Sequence, residues 1–302
     1  MNNQSIFPNV FIAGAQKAGT TSLHFWLASH PEVFAPEGLK DFHFFSKNEH
    51  YEKGATHLDE LFRPGYKNQK VVLDSSVNYL YFPYVAERIH QWMPDAKIII
   101  QLRNPIHRAL SAYHFNFKYG IEENGLETAL RKELQTPYSD RYDLENFTYL
   151  EHGLYDKQLR RFYDFFPEQQ VIVSIFEEVL PKKAAFMQEI FEFVGIDASF
   201  TPAFEHANET GKARFRSINK LVTTDNPLKQ SLRQLFKIDR LPQPIKYRIR
   251  QLILKANTSS VKKKEMLSQE MKSFLVDYYS DSVAELEKLL QKPLKPLWTE
   301  FQ

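Results

Sequence analysis

Residues 10–22 read VFIAGAQKAGTTS, and this stretch predicts the fold. An apolar strand runs into a tight turn that contains Gly14 and Gly19, and a helix that opens with hydroxyl residues follows. Glycines let a backbone approach a phosphate closely, and the first amides of a helix point at an anion with a favourable dipole. The pattern therefore predicts a strand–loop–helix unit that binds a phosphate or sulfate group. An ordinary strand-to-helix connection is the alternative.

Further apolar runs along the chain have the length of buried strands. They are continuous rather than alternating, which is typical of parallel strands covered on both faces. The predicted strands are residues 9–13, 71–73, 97–102 and 170–175, and helical stretches such as 21–29 and 84–93 lie between them. This alternation predicts an α/β fold with a parallel β-sheet, flanking helices and a P-loop-like phosphate-binding loop.

The C-terminal third has a different pattern. Apolar spacing predicts helices over residues 227–255 and 267–290, and there is no internal repeat or clear linker. We therefore predict a single domain over residues 1–302, with a basic, helical C-terminal part from about residue 212. Although the formal net charge is only +2, residues 212–264 contain fifteen Lys or Arg against two Asp. Such a block suits either a solvated face or an anionic partner, such as a phosphorylated cofactor, an acidic acceptor or a membrane surface.

Composition excludes several classes of protein. The 302 residues include no Cys, which excludes disulfides, thiolate metal sites and cysteine nucleophiles. No apolar run approaches the roughly 18 residues that span a bilayer, and residues 1–9 lack the pattern of a signal peptide. We therefore expect a soluble, cytoplasmic protein without a thiolate metal site. We also expect no metal requirement, because the lysine of the loop lies at Lys17 rather than at the Walker A position. Because there is no helix-turn-helix, zinc-finger or RNP pattern, we expect no nucleic-acid partner.

The loop differs from a Walker A sequence at one informative position. Gly14, Gly19 and Thr21 match the pattern G-x-x-x-x-G-K-[ST], but Thr20 stands where the lysine belongs. The lysine lies inside the loop instead, at Lys17, and there is no clear Walker B aspartate. The loop is therefore suited to an anion but poorly suited to a magnesium-bound nucleotide.

Residues 16–23, QKAGTTSL, resemble the 5′-phosphosulfate loop of sulfotransferases. These enzymes use 3′-phosphoadenosine 5′-phosphosulfate (PAPS) and release adenosine 3′,5′-bisphosphate. The resemblance covers essentially the whole chain and is closest to bacterial members and to the heparan sulfate sulfotransferase branch. The resemblance implies that residues of this loop bind the cofactor. They are Gln16, Lys17, Ala18, Gly19, Thr20, Thr21 and Ser22.

The segment at residues 40–45, KDFHFF, is similar to the family's K-E-x-H-F-F segment. The resemblance implies that Asp41, which replaces the usual Glu, is the general base on the acceptor. It implies that His43 orients the acceptor or acts as a second acid or base, so which of the two is the base stays open. Lys17 is the residue expected to stabilise negative charge on the leaving oxygen, which completes a predicted catalytic set of Lys17, Asp41 and His43.

Two further segments are assigned to the nucleotide. The predicted strand at 97–102 delivers Arg103 at its C-terminal end, the usual ligand edge of such sheets. The resemblance implies that Arg103 and Ser111 hold the 3′-phosphate of the cofactor. Residues 208–217 are loosely similar to a late basic loop that closes over the nucleotide, which adds Lys212 and Arg214.

The chain departs from the glycosaminoglycan enzymes at residues 72–79, VLDSSVNY, where those enzymes tend to have E-K-[ST]-P-x-Y. Asp74 keeps the acid, but Ser75 replaces a lysine associated with the polysaccharide side of the site. This departure argues against a heparan-like acceptor.

The leading hypothesis is a PAPS-dependent sulfotransferase that moves a sulfuryl group to a hydroxyl or amine of a carbohydrate, lipid or secondary metabolite. One alternative is a nucleotide kinase or NTPase that uses the same loop with magnesium. Another is a non-catalytic binder of anions or membrane surfaces, with peripheral contact through the basic C-terminal helices. The apolar residues expected to face a membrane are Leu232, Leu235, Phe236, Ile245 and Ile249.

Overall fold

The computed structural model describes residues 5–135, 137–204 and 266–302. Between these ranges it describes the backbone of 211–213 and 258–260 and the single residues 245, 249, 252, 253 and 257. The chain divides into two compact units. The first comprises Met1–Pro105, Leu154–Asn208 and Tyr278–Gln302, and the second comprises Ile106–Gly153 and Glu209–Asp277. The single domain stays a prediction.

The first unit is built on a five-stranded, all-parallel sheet, which confirms the predicted α/β class. The strands are β1 Val10–Gly14, β2 Val33–Phe34, β3 Val71–Ser75, β4 Lys97–Leu102 and β5 Val171–Ile175, in the spatial order β2-β3-β1-β4-β5. All residues of β1 and β3 are buried, because helices cover both faces of the sheet. Sequence reasoning missed β2, since two residues are too short to give a periodic signal.

The helices that connect the strands begin and end close to the predicted positions. Predicted 21–29 is observed as α1 Thr20–Ala28, and predicted 84–93 as α4 Val85–Trp92. The remaining helices before the basic segment are α2 Asn48–Tyr51, α3 Gly54–Phe62, α5 Pro105–Tyr119, α6 Leu126–Gln135, α7 Arg141–Asn146, α8 Tyr155–Tyr163, α9 Phe176–Val179 and α10 Lys183–Val194.

The C-terminal part is described over its last helix. Predicted 267–290 is observed as α11 Gln269–Leu290. The predicted helix at 227–255 lies outside the described residues, except for Ile245, Ile249, Leu252 and Ile253, which are helical. A short antiparallel pair, β6 Gly211–Ala213 and β7 Thr258–Ser260, also belongs to the second unit.

Apolar side chains pack on both faces of the central strand β1. On one face, Val10 and Ile12 belong to a buried cluster with residues of α1 and α10, such as Leu23 and Ile190. On the other face, the ring of Phe11 packs edge-on against Phe45, with 5.8 Å between ring centroids. Burial of alternate side chains on opposite faces accounts for the continuous apolar run in the sequence.

The parallel arrangement sets the position of the functional loops. In the register of the sheet, Val10 of β1 pairs with Leu73 of β3 and with Lys97 of β4. The carboxyl ends of these three strands therefore meet at one edge of the sheet. The glycine-rich loop follows β1 at this edge, and Arg103 follows β4.

Candidate active site

The glycine-rich loop depends on a glycine at its junction with α1. Gly19 caps the helix with φ of +87°, in the left-handed region. A Cβ added there would lie 2.7 Å from the ring of Phe176 and 2.8 Å from Nε2 of Gln101. The position therefore requires glycine both for its backbone angle and for the close approach of its neighbours.

We expect Gly19→Ala to destabilise the protein more than Gly54→Ala. Gly54 has a similar φ of +77°, but an added Cβ there has no atom within 4 Å. The backbone angle alone should cost about 1–2 kcal/mol at either site, and the overlap at Gly19 about 1–3 kcal/mol more. Urea unfolding of the two variants measures the difference. Equal losses would show that Phe176 and Gln101 move aside freely.

Strand β4 holds the loop from one side. The backbone amide of Ala15 donates to the carbonyl of Gln101 at 2.7 Å, and the Gln101 side-chain amide donates to the carbonyl of Ala18. The amide of Ala18 in turn donates to the carbonyl of Ala15 at 3.1 Å. Gln101 thus fixes both ends of the turn that carries Lys17. Sequence reasoning missed this role, because the glutamine lies within an apolar strand and belongs to no recognised motif.

Arg103 lies directly at the loop, as its place after β4 predicted. Its Nη1 donates to the carbonyl of Lys17 at 3.2 Å, and its guanidinium lies 5.0 Å above the ring of Phe176. The half-buried Lys17 has φ of +67°. The structure therefore places the guanidinium of Arg103 against the backbone of Lys17, in the loop that leads to the first amides of α1.

The hydroxyl residues of the loop lie in the first turn of α1. Thr20 is buried, and Thr21 and Ser22 are half-buried. The amides of Ser22 and Leu23 donate to the carbonyl of Gly19 at 3.0 and 3.3 Å. The amides before them have no partner within the helix, so this end of α1 can donate to an anion.

Asp41 forms a close ion pair and is tied to the end of β3. Its Oδ2 lies 2.5 Å from Nζ of Lys40, and its Oδ1 accepts from the amide of Val77 at 3.2 Å. Its own amide donates to the carbonyl of Ser75 at 2.8 Å. The side chain remains 37% exposed, whereas that of Lys40 is 10% exposed. The carboxylate is thus held in place but is still accessible.

Electrostatics keep Asp41 ionised. Burial by itself raises the pKa of the carboxyl, but the charges of Lys40 and His43, with the hydrogen bond from Val77, more than offset this and hold it below its ordinary value. A carboxylate with a lowered pKa is deprotonated at neutral pH and protonated only as the pH falls through that value. Asp41 is therefore in the protonation state that a general base requires.

The chain is similar to known proteins over most of its length. The sequence model of the sulfotransferase domain matches residues 7–287. The chain belongs to the sulfotransferase family.

Among curated relatives, human bifunctional heparan sulfate N-deacetylase/N-sulfotransferase 2 is 31% identical over 197 residues, covering 63% of this chain and 22% of that protein. The membrane-associated sulfotransferase kil1 of Dictyostelium discoideum is 33% identical over 116 residues, covering 37% of this chain and 24% of that protein. The chain thus spans about a quarter of the length of these relatives. A solved sulfotransferase from Alicyclobacillus acidocaldarius has the same fold, with a TM-score of 0.67 and 24% identity, over 97% of this chain and 99% of that one.

In this member of the sulfotransferase family, the loop residues, Arg103, Asp41 and His43 all belong to the first unit. His43 is half-buried, with φ of +63°, and its amide donates to Oγ of Ser76 at 3.2 Å. Ser111 is half-buried on α5 in the second unit. Its predicted contact with a 3′-phosphate stays a prediction.

The predictions for the late basic segment concern mostly undescribed residues. The side chain of Lys212 and the whole of Arg214 lie outside the described residues, as do Leu232, Leu235 and Phe236. Ile245 and Ile249 are described, and both are exposed. Contact of this segment with a membrane stays a prediction.

His24 is a residue of this region that sequence reasoning missed. It is 7% exposed, and its Nδ1 lies 2.8 Å from Oγ of Ser75. Burial, together with the charge of Lys40, lowers its pKa to about 4, although Asp41 acts in the opposite direction. The ring is therefore neutral at pH 7. Its place four residues after Thr20, one turn along the helix that begins at the loop, was the available signal.

The described residues offer neither a metal site nor a membrane-spanning helix. Across the residues for which side chains are described, no group of three or more His, Asp or Glu is arranged to hold a metal ion. Within that same part of the chain, no helix combines the length and the apolar character needed to cross a bilayer.

Proposed function

We propose that this chain transfers the sulfuryl group of PAPS to a hydroxyl or amine of an acceptor. The observation that carries the proposal is the meeting of Arg103 with the backbone of Lys17 at a loop whose helix begins with hydroxyl residues. The guanidinium of Arg103, the lysine within the loop, and the first amides and hydroxyls of α1 are donor types suited to a phosphosulfate. Family membership supports the same assignment.

Residues of the loop, together with Arg103 and Ser111, would share the binding of PAPS. The amides and hydroxyls of the loop would hold the 5′ end, and Arg103, with Ser111, is proposed to hold the 3′-phosphate. Bound PAPS supplies the sulfuryl group, and adenosine 3′,5′-bisphosphate is the product. Because the lysine lies at Lys17 rather than after Gly19, the proposal includes no magnesium ion.

The chemistry requires charge stabilisation and a base. In sulfuryl transfer, as in phosphoryl transfer, negative charge grows on the bridging oxygen as its bond to sulfur breaks. Lys17 would stabilise that oxygen, and the carboxylate of Asp41 would accept the proton of the acceptor as its oxygen or nitrogen bonds to sulfur. The ionised state of Asp41 supports this role.

For the acceptor, we propose only its chemical class. The names of the curated relatives include enzymes of heparan sulfate N-sulfation, which supports a carbohydrate amine or hydroxyl for this chain. A lipid or secondary metabolite would present the same nucleophile. Ser75, where a lysine stands in glycosaminoglycan enzymes, argues against a polyanionic acceptor.

Ligand-induced stabilisation tests the choice of cofactor. We expect adenosine 3′,5′-bisphosphate to raise the Tm far more than AMP or ATP, because only the bisphosphate offers a 3′-phosphate to Arg103. At a ligand concentration of about 100 times Kd, binding adds about 2.7 kcal/mol to the free energy of unfolding. The control is Arg103→Ala, which should reduce the preference for the bisphosphate.

A nucleotide kinase or NTPase would give a different pattern. Equal shifts from ATP and the bisphosphate, with a dependence on magnesium that a chelator removes, would overturn the assignment to PAPS.

A further inference from the structure

Asp74 is a buried carboxyl for which the proposed chemistry has no use. It lies in β3 and is 5% exposed. The hydroxyl of Tyr79 donates to its Oδ2 at 2.8 Å, and the hydroxyl of Ser76 donates to its Oδ1 at 3.2 Å. Ser76 and Tyr79 have no measurable exposure. Burial of a carboxyl costs free energy, and the hydrogen bonds from the two buried hydroxyl groups offset part of that cost.

Both hydroxyl groups also accept hydrogen bonds from the segment that carries Asp41 and His43. The amide of His43 donates to Oγ of Ser76 at 3.2 Å, and the amide of Phe45 donates to the hydroxyl oxygen of Tyr79 at 3.3 Å. A hydroxyl has a single proton to donate. Since each hydroxyl directs its proton to Asp74, its lone pairs are available to the amides.

The segment has a backbone that needs such support. Asp41 and His43 have φ of +59° and +63°, in the left-handed region that side chains rarely adopt. A non-glycine residue keeps this conformation only where the surroundings fix it. The end of β3 already binds Asp41 through the carbonyl of Ser75 and the amide of Val77. Asp74 extends this support to residues 43 and 45.

We propose that Asp74 is a positioning residue that acts through Ser76 and Tyr79 to hold the backbone of residues 41–45, and with it the carboxylate of Asp41. The catalytic consequence rests on the proposed function, whereas the structural consequence does not. Burial, and to a lesser degree the charge of Asp41, raises the pKa of Asp74 to about 7, although the two hydroxyl donors act in the opposite direction.

Amide hydrogen exchange at residues 43 and 45 tests the structural part. Asp74→Asn replaces an acceptor oxygen by an NH2 donor, which opposes one of the two hydroxyl protons, and should speed exchange at one or both amides by about five- to tenfold. Ser76→Ala should speed exchange at His43 alone, and Tyr79→Phe at Phe45 alone. Tyr84→Phe is the matched control, because that hydroxyl donates to the carbonyl of Ser46 at 2.8 Å and has no hydrogen bond to Asp74. It should change neither amide.

Steady-state kinetics with PAPS test the catalytic part. We expect Asp74→Asn to lower kcat by about ten- to a hundredfold, the scale of a misplaced catalytic group, with the KM for PAPS and the affinity for the bisphosphate within about twofold of wild type. A purely structural loss of stability would lower bisphosphate affinity together with kcat.

Unchanged exchange at both amides in Asp74→Asn overturns the proposal, whatever the activity. A parallel loss of kcat and bisphosphate affinity overturns it as well. If Asp74→Asn does not fold, the proposal is decided by two other variants. Ser76→Ala must then speed exchange at the amide of His43, and Tyr79→Phe at the amide of Phe45. If the wild-type protein transfers nothing from PAPS, the proposed function fails, and the exchange experiment still decides the role of Asp74.

Discussion

Asp41→Asn is expected to lower kcat by about a hundred- to ten-thousandfold, because it removes the proposed general base. The substitution keeps the size of the side chain and leaves an Oδ1 that can accept from the amide of Val77. Asn also tolerates the left-handed backbone at this position, where φ is +59°. The loss in steady-state turnover with PAPS should therefore report basicity rather than misfolding.

Two companion variants separate Asp41 from His43. Asp41→Glu should retain more activity than Asp41→Asn if the carboxylate is the base, although Glu adopts a positive φ less readily. His43→Asn is the counterpart test, since Asn suits φ of +63° there too. Near wild-type turnover in Asp41→Asn, together with an inactive His43→Asn, would assign the base to His43.

The pH profile gives an independent check on Asp41. Lys40 helps to hold the pKa of Asp41 below its ordinary value. The activity should therefore fall only as the pH drops through this lowered pKa. Lys40→Gln removes the cation and should move the acid limb of kcat/KM to higher pH. An acid limb at the same pH in both proteins would mean that another group controls it.

Lys17→Ala is expected to reduce kcat by about a hundred- to a thousandfold, the usual scale for removing one donor from developing charge. Affinity for adenosine 3′,5′-bisphosphate should fall much less. The amides and hydroxyls of the loop remain, and Arg103 donates to the backbone carbonyl of Lys17 rather than to its side chain. Single-turnover rates and bisphosphate titrations on the same variant measure the two effects separately.

The control for Lys17→Ala is Lys183→Ala. Lys183 begins α10, and its Nζ lies 5.9 Å above the ring of Trp26, where it has no proposed part in transfer. Its removal should leave kcat unchanged. An unchanged kcat in Lys17→Ala would remove this lysine from the chemistry, whatever its effect on binding.

Much of the first unit could be predicted from local pattern. The apolar runs placed four strands to within two residues at their ends, because strands buried on both faces leave a continuous apolar signal. Two glycines before a run of hydroxyl residues located the loop, and the left-handed angle of Gly19 accounts for the glycine there. The position of Arg103 followed from its place at the end of β4. These features depend on neighbours in the sequence.

The candidate site could be predicted less completely. His24 and Ser75 lie 51 positions apart in the chain, and Gln101 and Ala18 lie 83 apart. No periodic pattern within one segment encodes such contacts. The roles of Ser111, Lys212 and Arg214 remain predictions that rest on family resemblance.

By itself, the sequence predicted a parallel α/β sheet and a glycine-rich loop with its lysine displaced to Lys17, and its resemblance to the family added the candidate acid–base pair Asp41 and His43. Only the tertiary structure decided the strand order β2-β3-β1-β4-β5, the left-handed backbone of residues 41 and 43, and the hydroxyl contacts that join Asp74 to their segment. The physical reason is that strand and loop propensities act over a few neighbouring residues. The conformation of residues 41–45 is instead fixed by hydrogen bonds to the last residue of β3 and to the residues that follow it, more than thirty positions away along the chain.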